Sequence, residues 1–147
     1  MGLDMYIVGK RFLWSTSEEP IKAKIAEAVE CFGYEPRQVE IEVMYWRKAN
    51  AIHKWFVDNI QNGTDDCGEY DVSPEALKKL LGVCKTVLAD RSKARELLPT
   101  NSGFFFGPTD YDRYYFEDLE KTAEGIEKIL GNEEFLKAFD LYYHSSW

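Results

Sequence analysis

Basic charge, cysteine, histidine and long apolar runs are all scarce in this sequence. Lysine and arginine number 18 against 26 aspartates and glutamates, a net charge of −8 over 147 residues. That balance excludes a broad, nonspecific hold on nucleic acid, which needs a basic surface. The acids are spread along the chain rather than run together, which speaks against an acidic mimic of DNA. No apolar run approaches the roughly 18 residues needed to cross a bilayer, so no membrane span is expected. The opening Met1-Gly2-Leu3-Asp4-Met5-Tyr6 carries an early acid and no basic-then-apolar order, so it does not read as a secretory signal. Tyr6 also stands where a myristoylation signal has serine or threonine.

Three cysteines, Cys31, Cys67 and Cys84, are an odd number without close spacing. They imply no disulfide framework and favour a reducing, cytoplasmic setting. Cys31 and Cys84 fall on apolar helical stripes and read as buried thiols. One cysteine with one histidine falls short of a zinc set, and Asp65-Asp66-Cys67-Gly68-Glu69 lacks the spacing of a calcium loop. The glycines of Thr100-Asn101-Ser102-Gly103-Phe104-Phe105-Phe106-Gly107 come without the lysine of a phosphate-binding loop. No metal and no cofactor is therefore expected.

What is present suits one globular domain. The apolar fraction is 45% and the aromatic fraction 15%, enough for a hydrophobic core at this length. Leu3 to Val8 alternates as a strand. Pro20 to about Phe32 reads as a helix whose buried stripe is Ile21, Ile25, Ala28 or Val29, and Phe32, stopped by Gly33. Val39 to Tyr45 alternates most cleanly, with Val39, Ile41, Val43 and Tyr45 expected on one face and the acids on the other. A helix from about Lys48 to Gln61 places Ala49, Ile52, His53, Phe56 and Ile60 together. A short strand at Glu69–Val72 follows. Ser73-Pro74 opens a helix with Leu77, Leu80, Leu81, Cys84, Val87 and Leu88 buried. Another turn or two of helix covers Lys93 to Leu98. A helix from about Tyr111 to Leu130, capped by Thr109 or Asp110, comes next. The tail reads as a helical Glu133–Ala138 and a strand from Leu141 to Trp147. No linker or repeat divides the chain. This order predicts a single α+β domain with an antiparallel sheet of about four to five strands and about four helices packed on one face.

The densest chemistry lies between Tyr45 and Val57. Arg47 and Lys48 stand near a helix N-terminus, where backbone N–H groups already favour an anion. Two cations there call for an anionic partner. That partner is either a ligand or an acid of the Asp65–Glu69 turn, with His53 then an ordinary core-edge histidine. Trp46, Arg47, Lys48, Asn50, His53, Asp66 and Glu69 are the candidate ligand-binding residues. Acids adjacent to Cys67 raise a thiol pKa, the wrong direction for a nucleophile unless His53 lies beside it. Three consecutive phenylalanines, Phe104 to Phe106, cannot all face one side of a strand, so a second layer, a partner or a ligand ring must meet them. Packing under the following aromatic helix is the simplest arrangement. The tyrosines of the last third and Trp147 suit either an aromatic sheet face or a homo-oligomer.

Several stretches together resemble a family of small, mostly uncharacterised proteins encoded by bacteriophages and prophages. They are Met1-Gly2-Leu3-Asp4-Met5-Tyr6, Tyr45 to Phe56, Asp65-Asp66-Cys67-Gly68-Glu69-Tyr70, Leu97-Leu98-Pro99-Thr100, Ser102 to Gly107, and Tyr143-His144-Ser145-Ser146-Trp147. The resemblance covers most of the chain. It implies expression in the cytoplasm of a host bacterium and carries no activity or functional residue with it. Two functions follow as expectations. One is a nonenzymatic binding protein that sequesters a small anionic, nucleotide-like signal or blocks a host defence protein. The other is a small hydrolase or transferase using His53 with Asp65, Asp66 or Cys67. The enzyme needs His53 in hydrogen-bond reach of such a group beside an open cleft. The binding protein needs a concave aromatic pocket with cations.

Overall fold

Alternating apolar and polar residues build a four-stranded antiparallel sheet, and the helices supply the other half of an α+β fold, as the sequence predicts. The computed structural model describes residues 2–147. Strands β1 (Asp4–Phe12), β2 (Gln38–Arg47), β3 (Tyr70–Asp71) and β4 (Asp140–Ser146) lie in the order β2-β1-β4-β3. Four longer helices are α1 (Glu19–Ala28), α2 (Asn50–Asn59), α3 (Pro74–Ala89) and α5 (Arg113–Leu130). Two short ones are α4 (Ala94–Leu97) and α6 (Glu133–Ala138).

The inner face of the sheet carries Met5 and Ile7 of β1, Met44 and Trp46 of β2, and Leu141 and Tyr143 of β4, all buried. Three helices cover it. Met44 presses so close to Gly125 of α5 that a Cβ there would meet the methionine Cε at 2.5 Å. Phe56 of α2 stacks on Tyr143 with ring centroids 4.0 Å apart. Phe135 of α6, stacked on Phe139, lies over Gly9 of β1, where a side chain would have no room. Helix α3 packs on α5 as a second layer through Leu77, Leu80, Cys84 and Val87. Each large side chain buried this completely contributes about 1.5–3 kcal/mol relative to exposure.

A β-bulge corrects the expected facing of β2. Ile7 pairs with Met44 but Val8 pairs with Glu42, so Val43 is an extra residue. The insertion swaps faces across itself. Val39 and Ile41 share the inner face with Met44 and Trp46, while Tyr45 joins Glu40 and Glu42 on the outer face. Alternation along the sequence cannot reveal this, because one inserted residue reverses the parity of everything beyond it.

Helix α1 is also shorter and more exposed than expected. It ends at Ala28, and Glu30, Phe32 and Gly33 turn the chain away with positive φ. Val29 and Phe32, expected on a buried stripe, are 64% and 87% exposed, and the one buried residue of α1 is Lys22. Cys31 is half-buried rather than buried; Cys84 is fully buried, and burial pushes its thiol up to about 12. Helix α5 begins at Arg113 with Asp112 as its cap, accepting from the Tyr115 N–H at 3.1 Å, in place of Thr109 or Asp110.

Candidate functional site

The predicted site residues separate into three places. The first is the core. Trp46 is wholly buried, its Nε1 donating to Thr122 Oγ1 at 2.8 Å, and the Thr122 hydroxyl donates in turn to the Asp118 carbonyl at 2.6 Å. His53 is 0% exposed and has both ring nitrogens engaged. Nδ1 lies 2.7 Å from the Tyr143 hydroxyl and Nε2 lies 2.9 Å from Asp65 Oδ2. Trp147 Nε1 donates to the other Asp65 oxygen at 3.0 Å. Phe106 closes the remaining side, edge-on to His53 at 5.3 Å. Burial drives the Tyr143 phenol well above its ordinary pKa, so it keeps its proton. A neutral imidazole with its proton on Nε2 satisfies all three groups. His53 thus meets an acid in hydrogen-bond reach, but its ring is wholly buried.

The second place is the turn after α2. Asp66 accepts from the Gly68 N–H at 2.8 Å and from the Tyr70 hydroxyl at 3.0 Å. Glu69 pairs with Lys10 of β1 at 2.5 Å, not with Arg47 or Lys48. Cys67 is exposed and holds a positive φ. The structure therefore does not bring this turn to the junction of β2 with α2.

The third place is that junction, and it is concave. A cavity of about 320 Å³ opens there, lined by Arg47, Lys48 and Asn50 on one side and by Asp110, Asp112, Tyr114, Glu117 and Asp118 on the other. Asn50 forms its floor. Its amide donates to the carbonyls of Phe106 and Pro108, at 3.1 and 2.9 Å, and its oxygen accepts from the Asn101 N–H at 3.0 Å. That buried amide ties the 101–108 loop to the start of α2, so Asn50 shapes the cavity more than it offers free hydrogen bonds. Helix α2 begins without a side-chain cap; the Asn50 N–H donates to the Lys48 carbonyl at 2.8 Å, and Ala51 and Ile52 of the first turn line the cavity.

Charge in the cavity is divided. Among the described residues, Arg47 and Lys48 have no ion-pair partner. Across from them, Asp112 is used as the α5 cap and Glu117 pairs with Arg113 at 2.5 Å. Asp110 and Asp118 remain without side-chain partners among the described residues. Burial pushes the Asp118 carboxyl up to about 6, against the opposing pull of Lys121 and with the help of Glu117 and Asp112. Lys48 sits at φ 60°, with its stem 3.1 Å from the place a Cβ would occupy on Gly107. A non-glycine residue held there stores strain of about 1–2 kcal/mol.

No family model, curated protein or solved structure matches the chain. The acidic wall was missed by sequence reasoning, although a signal for it existed. Asp110, Tyr114 and Asp118 recur every four residues, which places the latter two on one helical face. The phenylalanine run was also read only in part. Phe106 alone enters the core, against His53 and Trp147, whereas Phe104 is 84% exposed and Phe105 sits at a positive φ in a turn.

Proposed function

We propose that this chain is a nonenzymatic binding protein that takes a small, nucleotide-like anion in the cavity between β2, α2 and α5. The observation that carries the reading is that Arg47 and Lys48, without ion-pair partners among the described residues, face Asp110 and Asp118 across one cavity of about 320 Å³. Arg47, Lys48 and the uncapped start of α2 suit phosphate. Asp110 and Asp118 suit the exocyclic amine or ribose hydroxyls that a nucleotide carries at its other end. Tyr114, 69% exposed at the rim, offers a ring for a base to stack on. The volume lies at the small end of ligand sites, which fits a mononucleotide or half of a dinucleotide. The hydrolase or transferase reading is weaker, because His53 is sealed by Tyr143, Asp65 and Phe106. The resemblance to phage and prophage proteins suggests that the sequestered molecule is a signal inside an infected bacterium.

The test is a thermal-shift screen against mononucleotides and cyclic dinucleotides, with mass spectrometry of the ligand after incubation. A stabilised protein with intact ligand supports sequestration; a chemically altered ligand overturns it in favour of an enzyme. Lys48→Gly should relieve backbone strain and raise stability by about 1 kcal/mol, yet weaken ligand binding roughly tenfold. Unchanged affinity in a stabilised Lys48→Gly protein would remove Lys48 from the site.

A further inference from the structure

The outer face of the sheet carries a second pattern that the cavity does not use. Four rows cross it. The first is Arg47, Asp4 and Ser146; the second is Tyr45, Tyr6 and His144. The third is Glu42, Val8, Tyr142 and Asp71; the fourth is Glu40, Lys10 and Asp140. The second row is wholly aromatic, and the third carries Tyr142. Tyr6 stacks on His144 at 4.8 Å and leans on Tyr45 at 5.2 Å. Helices α2, α5 and α6 all cover the opposite face, and the rings of Tyr6, Tyr45, Tyr142 and His144 are only half-buried.

Charge on this face is mostly acidic: Arg47 lies opposite Asp4 in the first row, and Lys10 is the one cation of the third and fourth rows. Lys10 is already held between Glu69 and Glu40, and Asp4 accepts the Tyr45 hydroxyl at 2.5 Å. Among the described residues, Glu42, Asp71 and Asp140 have no ion-pair partner. Burial raises the Tyr142 phenol, helped by the charges of Asp71 and Asp140 and opposed by Lys10. The rings also accept cations already: Lys10 lies 5.2 Å from the Tyr142 centroid and Lys121 lies 5.7 Å from that of Tyr45. Electron-rich rings interleaved with carboxylates complement guanidinium groups, which stack on the ring face and pair with the acids at its edge. A nucleic-acid strand would gain the stacking but would bring its phosphates against the same carboxylates.

We infer that the outer face of the β2-β1-β4-β3 sheet docks an arginine-rich segment of a partner protein, its guanidinium groups against Tyr142 and the exposed edge of the Tyr6–His144 stack and paired with Glu42, Asp71 and Asp140. This surface meets the cavity only at Arg47, and the proposal does not use that residue. The test uses a fluorescent oligo-arginine peptide, with amide chemical shifts of the labelled full chain to locate it. Shifts should cluster on Tyr6, Tyr142, His144 and their neighbours. Glu42→Lys combined with Asp140→Lys should weaken binding about tenfold, whereas Glu120→Lys with Glu124→Lys on exposed α5 should change it by less than about twofold. Tyr142→Leu should weaken oligo-arginine binding by about threefold or more with the circular dichroism spectrum unchanged. Equal weakening by the two double reversals would reduce the effect to general attraction by an acidic protein and overturn the proposal. So would shifts located elsewhere, or an oligothymidine strand that occupies the face in preference to the peptide.

Discussion

His53 is a residue whose chemistry is fully spent on structure. The Tyr143 hydroxyl at 2.7 Å and Asp65 at 2.9 Å satisfy both nitrogens in a site with no exposure. His53→Ala would leave a cavity and a buried, unpaired phenol, and should cost about 2–4 kcal/mol in a urea titration. A cost near zero would mean that the network is not formed in solution. Asp118 makes the opposite kind of statement. Its carboxyl is pushed from 3.8 up to about 6 by burial, so the folded protein holds a proton there that the unfolded chain has released. Stability from this group is full below about pH 4 and is lost as pH rises through about 6. Because the carboxyl is only partly buried, solvent screening limits the effect to about 1 kcal/mol. Asp118→Asn should flatten that part of the stability profile and leave the protein more stable at pH 7; an unchanged profile would count against the shift. At this scale the sequence revealed which residues carry chemistry near the β2–α2 junction. It did not reveal their directions. Trp46 and Arg47 are adjacent, yet one points into the core and the other into solvent, and His53 is taken by a strand lying ninety residues away.

Elements differ in how fully their patterns announced them. The start of helix α3 was legible to the residue, because Ser73 accepts from the Ala76 N–H at 3.1 Å and Pro74 sets the first turn, while Leu81 and Leu88 of its expected stripe are only half-buried. Helix α1 was not, because its apolar stripe has nothing to bury against once the chain turns at Glu30 and Phe32. The face exchange in β2 was hidden by a single inserted valine. Two glycines inside helices separate propensity from packing. Gly82 of α3 has open space where a Cβ would stand, so Gly82→Ala should raise stability by about 0.5–1 kcal/mol. Gly125 of α5 faces Met44, whose Cε would lie 2.5 Å from the new methyl. Gly125→Ala should therefore lose the same propensity gain to repacking and come out neutral or destabilised by about 1 kcal/mol. Paired thermal melts check both, and equal stabilisation of the two variants would show that α5 sits further from the sheet.

At the scale of the molecule, one sheet sorts the chain into two unlike surfaces. Its inner face takes three helices, and its outer face keeps rings and carboxylates open. The α+β class followed from the order of periodic segments. The placement of β4 between β1 and β3 did not, because nothing local marks which strands pair. That placement has a consequence in time. The sheet's central ladder joins residues 4–10 to residues 140–146, so the most remote contact in the chain is also the one on which the sheet closes. Closing so long a loop before any β4 contact rewards it makes for slow folding. Until residue 146 has left the ribosome, the edge of β1 that β4 will pair with stands open with its backbone groups unpaired, a transient species that the cell must keep from associating.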